Sequence, residues 1–189
     1  MRKMKKEDLL LEVLSYMRLI IVCLIVAFLL KTLVLKPVHV KGDSMYPTLQ
    51  DDDIGLSNVF SMLSGGIQRF DVVVVKDHTT GNLIVKRVIG LPNERVEYRE
   101  GKLYIDDQYV EEPFLDEAYM KEATKEQPYF TADVAPVVLG DDEYFVVGDN
   151  RVNSLDSRAT GPYKESEIVS KDVYVLYPFS RFHLVMNGS

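Results

Sequence analysis

The chain has 189 residues, 47% of them hydrophobic and 10% aromatic, which fits one domain of moderate size with an appendage. Its net charge of −7 at pH 7 argues against a nucleic-acid-binding protein, because such proteins carry a basic surface. The single cysteine, Cys23, lies in an apolar segment and excludes an intramolecular disulfide or a cysteine-based metal cluster.

The charges are distributed unevenly along the chain. Residues 1–36 carry seven of the 22 Lys and Arg residues but only three of the 29 Asp and Glu residues. The rest of the chain is therefore strongly acidic. A basic N-terminal segment followed by an acidic body indicates two different environments.

The first predicted element is an apolar helix. Residues 19–30 carry no polar side chain, and the apolar segment continues past Lys31 to residue 35. As a helix it spans roughly 25 Å, just short of the ~30 Å hydrocarbon core of a bilayer. A cleaved signal peptide has a similar start, but no small-x-small cleavage site follows the apolar segment. We therefore predict a cytoplasmic basic head and a single-pass, uncleaved anchor over residues 1–36, with residues 37–189 outside the membrane.

After Pro37 the pattern changes to short β segments separated by turn residues. Residues 79–82 and 100–102 are turns that predict two hairpins. Residues 111–142 are interpreted as a short irregular insertion with room for one helix at 115–123, since residues 111–136 are polar and contain three prolines. The predicted fold class is mainly β, a transmembrane helix followed by an extracytoplasmic all-β domain. The predicted strands are residues 38–40, 54–59, 70–76, 83–89, 95–99, 103–105, 143–147 and 173–177.

The segment 58–67 is unusually apolar for a predicted loop. Two interpretations remain open for it. Either its apolar side chains pack into the core of the β domain, or the segment enters the bilayer beside the anchor.

Ser44 lies in a polar turn after an extended run, and Pro47 favours extended geometry at Tyr46. Most serines in turns are caps or turn residues, so a nucleophilic role requires a proton acceptor. No Gly-x-Ser-x-Gly elbow surrounds any serine, and nothing in the sequence pairs Ser44 with a histidine. The three histidines are His39, His78 and His183.

Lys86 is the better candidate for the base. Strand alternation places Ile84, Lys86 and Val88 on one face of the predicted strand 83–89. Burial among apolar neighbours disfavours the ammonium form and lowers the lysine pKa, which makes the amine a competent general base. The alternative is a lysine at a sheet edge that keeps its charged head in water. Arg87 points to the other face and suits ion pairing, because it does not readily lose its proton.

Residues 148–158 follow the predicted strand 143–147 and combine glycine, acids, amides, serines and arginines. Such a segment is either an ordinary surface loop or a fixed polar network around a site. Its acidic spacing does not match an EF-hand calcium loop.

Together these segments resemble the type I (leader) signal peptidases, serine-lysine endopeptidases of the bacterial inner membrane. The resemblance runs through the anchor and four ordered segments and spans most of the chain. The short insertion is similar to that of Gram-positive forms. The four segments are residues 44–49 (SMYPTL), 69–74 (RFDVVV), 86–92 (KRVIGLP) and 148–158 (GDNRVNSLDSR).

The resemblance implies a mainly β catalytic domain with Ser44 as nucleophile and Lys86 as general base. It implies that Ser154 positions the lysine amine. It also implies two structural ion pairs around the site, Arg87 with Asp149 and Asp156 with Arg158.

The oxyanion hole implied by the resemblance is formed by the backbone N–H of Ser44. Some members place a serine two residues before the nucleophile, and here that position is Gly42, so no side-chain donor is expected. Asn93 replaces a common glycine after the proline, and asparagine tolerates the positive φ of such a turn.

The implied substrate is the signal peptide of an exported pre-protein, cut after small residues at the first and third positions before the bond. Small apolar pockets and strand addition suit such a peptide. No metal or other cofactor and no nucleic acid is implied, whereas membrane lipid and the secretion machinery are expected partners. The candidate pocket residues, which flank Ser44 and Lys86 in sequence, are Val40, Met45, Leu49, Ile84 and Val85.

Two other functions fit parts of the sequence. A self-cleaving Ser-Lys protein of the repressor type would share the dyad, but the anchor and the absence of a recognisable DNA-binding head weigh against it. An inactive, membrane-anchored β scaffold would share the fold without the chemistry. Replacement of Ser44 separates the scaffold from both enzymes.

Overall fold

The computed structural model describes residues 6–125 and 128–185. The chain forms two compact units, divided between Leu35 and Lys36. The first contains helix α1, Lys6–Leu33, which is long and apolar enough to cross a membrane. Residues 11–28 of this helix have a mean hydropathy of 2.2, and none of them is buried.

The second unit is built from short antiparallel strands, so the predicted mainly β fold class is confirmed. The larger sheet has the order β1-β2-β11-β3-β4-β9-β10, with β12 paired to β11, and the smaller has the order β7-β6-β5-β8. The strands are β1 Leu35–His39, β2 Ile54–Asn58, β3 Val72–Lys76, β4 Leu83–Gly90, β5 Arg95–Arg99, β6 Lys102–Ile105, β7 Gln108–Val110, β8 Val134–Val138, β9 Glu143–Val147, β10 Tyr163–Lys164, β11 Ile168–Tyr177 and β12 His183–Val185. The helices of this unit are α2 Val59–Gly65, α3 Glu117–Ala123 and α4 Ser157–Thr160, with 3-10 turns at Glu165–Glu167 and Phe179–Arg181.

Both predicted hairpins form, β3 with β4 and β5 with β6. The four valines of β3 are all buried because both faces of the larger sheet are covered, which explains a continuous rather than alternating apolar run. Val72 and Val74 belong to one core cluster, and Val73 and Val75 to another. A third cluster packs under the smaller sheet around Tyr98 and Phe145.

Residues 58–67 do not form the predicted loop. Asn58 caps helix α2, accepting a hydrogen bond from the Ser61 N–H at 3.1 Å, and Gly66 ends the helix at a φ of +64°. Met62 and Ile67 pack against the core, whereas Phe60 is 58% exposed. Burial therefore explains part of the apolar character of this segment.

The insertion at 111–142 is less irregular than predicted. It contains α3, capped by Asp116, and strand β8, which pairs with β5. β8 was missed because it contains Pro136. Proline is tolerated there because β8 is an edge strand and need not donate on its open side.

Strand β11 begins five residues before the predicted start at 173. The sequence pattern does not predict this extension, because the added segment contains Lys171 and a lysine is rarely buried inside a sheet. It is buried, and its Nζ donates to Asp71 Oδ2 at 2.8 Å. The charge of Lys171 is therefore paired with a buried carboxylate inside the sheet.

Candidate active site

Ser44 lies in a compact turn between β1 and β2. The Tyr46 N–H donates to Asp43 O at 3.1 Å, and the Leu49 N–H donates to Met45 O at 2.9 Å. The side chains of Met45 and Leu49 are 1% and 0% exposed and anchor the turn in the core. The Ser44 side chain therefore projects from a segment fixed on both sides.

The loop after β9 holds this turn from outside. The Asn150 N–H donates to Ser44 O at 3.0 Å, and Asn150 Nδ2 donates to Asp43 O, also at 3.0 Å. Thr48 Oγ1 donates to Asp149 Oδ2 at 2.6 Å. Two segments about a hundred residues apart in sequence thereby form one rigid unit.

Lys86 approaches Ser44 from β4. Its Nζ lies 2.7 Å from Ser44 Oγ, within hydrogen-bond distance, and the residue is only 3% exposed. Burial lowers the pKa of Lys86 to about 8, although the nearby carboxylate of Asp156 partly opposes the shift. A buried amine with a lowered pKa in contact with a hydroxyl has the geometry required of a general base and its nucleophile.

Arg87, the next residue on β4, points the other way into a buried ion pair. Its Nε and Nη2 donate to Asp149 Oδ1 and Oδ2, each at 2.8 Å, and both side chains are almost completely buried. The centroid of the Phe114 ring lies 4.1 Å from the guanidinium carbon of Arg87. This bidentate pair links β4 to the loop that holds Ser44.

A second ion pair orders the far end of the same loop. Arg158 Nε donates to Asp156 Oδ1 at 2.8 Å, and its Nη1 donates to Arg151 O at 2.9 Å. The Gly148 N–H donates to Asp156 Oδ2 at 3.0 Å, which connects the loop to the end of β9. Hydrogen bonding and the charge of Arg158 hold the pKa of Asp156 below its usual value despite burial, so the carboxylate stays charged.

Arg151 forms a buried pair that the sequence did not indicate. Its Nη2 donates to Glu112 Oε1 at 2.7 Å, and its Nη1 also donates to Tyr98 Oη at 3.0 Å. Glu112 lies in the insertion, 39 residues earlier. No local pattern links the two residues, because only the packing of the two sheets brings them together.

Ser154 lies near Ser44, with its Oγ beside the backbone of Gly148. This hydroxyl is buried and makes no hydrogen bond of ordinary geometry within residues 6–125 and 128–185, although it lies close enough to Asp156 to help hold the pKa of that carboxylate below its usual value. A buried hydroxyl without such a bond is uncommon and indicates a group that is available to a nearby donor or acceptor.

A cleft of about 660 Å³ opens beside Ser44 and Lys86. Of the candidate pocket residues, Val40, Met45, Ile84 and Val85 line it, but Leu49 does not. The prediction that Leu49 is a pocket residue is therefore wrong. Its side chain is fully buried in the core cluster, where it anchors the turn. Further walls of the cleft, not singled out from sequence, include Val74, Asp77, Thr79, Thr80, Asn82 and Leu155.

One wall of the cleft is an open sheet edge. Strand β4 pairs with β3 from Leu83 onward, whereas its pairing with β9 starts only at Arg87. Among the described strands, residues 83–86 therefore lack a partner on the cleft side. Such an edge can accept an extended peptide by strand addition.

No histidine reaches Ser44. His39 lies on the cleft wall, but its Nε2 is 3.0 Å from Asp52 Oδ1. His78 contacts Glu167 at 3.1 Å and stacks on Tyr163, and His183 contacts Arg181 O. Within residues 6–125 and 128–185, no three His, Cys, Asp or Glu side chains are placed to hold a metal ion.

Comparisons with known proteins identify the family. The model of the family described as "Signal peptidase, peptidase S26" matches residues 13–177. Signal peptidase I S of Bacillus subtilis (strain 168) is 36% identical over 170 residues, covering 89% of this chain and 91% of that protein. Signal peptidase IB of Staphylococcus aureus (strain COL) is 33% identical over 181 residues, covering 90% and 93%.

A solved structure agrees with these relatives. The crystal structure of a signal peptidase I from Enterococcus faecalis V583 is 34% identical, with a TM-score of 0.50, covering 58% of this chain and 96% of that one. The fold and the relatives together define a serine peptidase, a hydrolase. The chain belongs to the signal peptidase family, peptidase S26.

Proposed function

We propose that the chain is a membrane-bound endopeptidase that removes N-terminal signal peptides from exported pre-proteins by a Ser44/Lys86 dyad. The observation that carries this proposal is the 2.7 Å contact between Lys86 Nζ and Ser44 Oγ. Family membership supports the reaction, and the burial of Lys86 supports its role as base. Ser44 attacks the scissile carbonyl carbon while neutral Lys86 accepts the hydroxyl proton.

The same proton then completes the first half of the reaction. Lys86 returns it to the leaving amine as the C–N bond breaks, which leaves an acyl-enzyme ester on Ser44. Water attacks the ester carbonyl with Lys86 again as base, and the proton passes to Ser44 Oγ as the acid product leaves. A pKa of about 8 leaves roughly a tenth of the lysine neutral at pH 7, enough for this cycle.

The charge that develops on the carbonyl oxygen is stabilised by the Ser44 N–H in this mechanism. That N–H donates to no acceptor among the described residues. Gly42 supplies no side-chain donor, and its φ of +82° suits glycine. In this proposal the oxyanion hole therefore rests on a backbone donor.

The cleft accounts for the proposed substrate. A peptide added along residues 83–86 of β4 presents alternate side chains to the cleft wall. Val40, Met45, Ile84 and Val85 narrow this wall and favour small residues before the cut bond. Ser154, whose buried hydroxyl makes no hydrogen bond of ordinary geometry among the described residues, is proposed to orient the Lys86 amine.

The apolar helix α1 supports a membrane-bound arrangement for this enzyme. In this proposal residues 1–36 form the cytoplasmic head and anchor, and residues 37–189 form the extracytoplasmic catalytic domain. The basic N-terminal residues favour a cytoplasmic N-terminus. Lipid contacts α1, and exported pre-proteins reach the cleft from the secretion machinery.

A cleavage assay in detergent with one exported precursor tests the dyad. Ser44→Ala and Lys86→Ala are each expected to abolish cleavage, since the nucleophile and its base act as a unit. Matched controls are Ser64→Ala and Lys102→Ala, which alter exposed residues outside the site. Wild-type turnover by either dyad variant contradicts the mechanism, and no cleavage by the wild type contradicts the substrate.

A further inference from the structure

We propose that Tyr119, on helix α3 of the insertion, positions the peptide plane that carries the Ser44 N–H. This role rests on the proposed function, because it concerns the oxyanion donor of that reaction. It goes beyond the dyad by assigning a part of the insertion to catalysis. A chain of contacts runs from Tyr119 through Asn150 to the Ser44 turn.

Asn150 is the central member of this chain. Its side chain is almost completely buried, and its Nδ2 donates to Asp43 O at 3.0 Å. The Asp43 carbonyl and the Ser44 N–H belong to one planar peptide unit and, in the trans form, point in opposite directions. A bond that fixes the Asp43 oxygen therefore also fixes the direction of the Ser44 N–H.

The Asn150 amide works in only one orientation. If it were flipped, its Oδ1 would face the Asp43 oxygen, and two acceptors would repel each other. Tyr119 Oη donates to Asn150 Oδ1 at 2.9 Å and so stabilises the productive orientation. Burial raises the pKa of the Tyr119 hydroxyl, which keeps it a donor across the pH range in which Lys86 titrates.

The ring of Tyr119 contacts the same turn directly. It packs edge-on against Tyr46, two residues after Ser44, with 4.9 Å between ring centroids. On its other side it packs against Phe130, also from the insertion, at 5.8 Å. Asp116 caps the start of α3 by accepting the Tyr119 N–H at 2.6 Å, which holds the tyrosine in place.

Tyr119 is not part of the cleft wall, so it has no direct route to substrate binding. Its effect should therefore fall on the chemical step rather than on affinity. Loss of its hydroxyl leaves the ring contacts intact but frees the Asn150 amide to rotate. The Asp43 oxygen then keeps only its bond from the Tyr46 N–H at 3.1 Å, so the direction of the Ser44 N–H toward the developing oxyanion is held less tightly.

The test compares Tyr119→Phe with Tyr109→Phe in the full-length, detergent-solubilised protein and one precursor. Tyr109 is exposed on β7, so its variant removes the same atom far from the site. Tyr119→Phe should lower kcat about tenfold, the cost of about 1.4 kcal/mol in the transition state, with KM unchanged. The apparent pKa of the rate should also stay unchanged, because the surroundings of Lys86 are intact.

A double-variant cycle separates positioning from general destabilisation. If Tyr119 acts through Asn150, Tyr119→Phe should cost nothing further in an Asn150→Ala background. The inference is overturned if Tyr119→Phe behaves like Tyr109→Phe, if the change falls on KM, or if the two losses multiply. In each of these cases the wild type still cleaves and Ser44→Ala does not, so the proposed function survives.

Discussion

Gly148 and Ser44 approach so closely that no side chain fits between them. A Cβ on Gly148 would lie 2.3 Å from the Ser44 carbonyl oxygen and 2.2 Å from Ser154 Oγ. Both distances are far below van der Waals contact. The end of β9 can therefore lie against the nucleophile turn only with glycine at this position.

Gly148→Ala should displace Ser44 and Ser154 and lower kcat by roughly ten- to a hundredfold, which is about 1.4–2.7 kcal/mol of activation free energy. The overpacking should also cost about 1–3 kcal/mol of folding stability. Gly65→Ala is the matched control, because nothing lies within 4 Å of a Cβ there and its φ is not positive. Steady-state cleavage of a precursor by both variants checks the expectation. Equal activity of the two variants would show that the turn can move without loss.

The pH dependence should report the neutral form of Lys86. Its pKa of about 8 predicts a rate that rises with pH and levels off above about 8, well below the free-lysine value of ~10.4. The measurement is kcat/KM against pH with a substrate that carries no group titrating in that range. A rate that continues to rise to pH 10 would contradict the buried environment of the amine.

The same burial has a consequence for stability. At pH 7 folding must bury the Lys86 ammonium, which lowers the stability of the folded state. Between pH 8 and 10.5 the unfolded chain binds this proton and the folded chain does not, so stability rises with pH over that range. Lys86→Met removes this penalty and should be more stable than the wild type at pH 7, by about 3 kcal/mol. Thermal unfolding at several pH values checks this, with Lys102→Met as an exposed control. A difference that does not shrink toward pH 10.5 would refute it.

The buried pair of Arg87 and Asp149 should matter more for folding than any surface pair. Arg87→Ala leaves the Asp149 carboxylate buried without its partner, which typically costs about 3–5 kcal/mol. We expect the midpoint of thermal unfolding to fall by roughly 10 °C. Arg95→Ala breaks a pair with the exposed Asp107 and should change the midpoint by a few degrees at most. Similar shifts for the two variants would argue against the importance of burial.

Leu155 should contribute to substrate binding through the cleft. It is 59% exposed yet lines the cleft that contains Lys86, so its truncation removes apolar wall without opening the core. Leu155→Ala should raise KM about fivefold, as expected for partial loss of one buried aliphatic side chain, with little change in thermal stability. Val152→Ala, in the same loop but outside the cleft, is the control. An unchanged KM would exclude Leu155 from the binding surface.

The fold class, both hairpins and the apolar membrane-type helix can be predicted from the sequence, because periodicity and turn chemistry are local properties. Ser44 and Lys86 were also chosen from sequence, through the strand alternation of 83–89 and the order of the four segments. Strand β8 was not predicted, since Pro136 favours a loop and pairing with β5 overrides that local preference. Helix α2 was not predicted either, although Asn58 and Gly66 are local start and stop signals for a helix.

Which distant groups meet at the site depends on how the folded chain packs. Nothing local links Glu112 to Arg151 or Tyr119 to Asn150, because residues far apart in sequence approach only when the two sheets pack. Leu49 is close to Ser44 in sequence, but packing places its side chain in the core rather than in the cleft. The lowered pKa of Lys86 also depends on tertiary structure, since an amine loses its solvation only when the folded chain surrounds it.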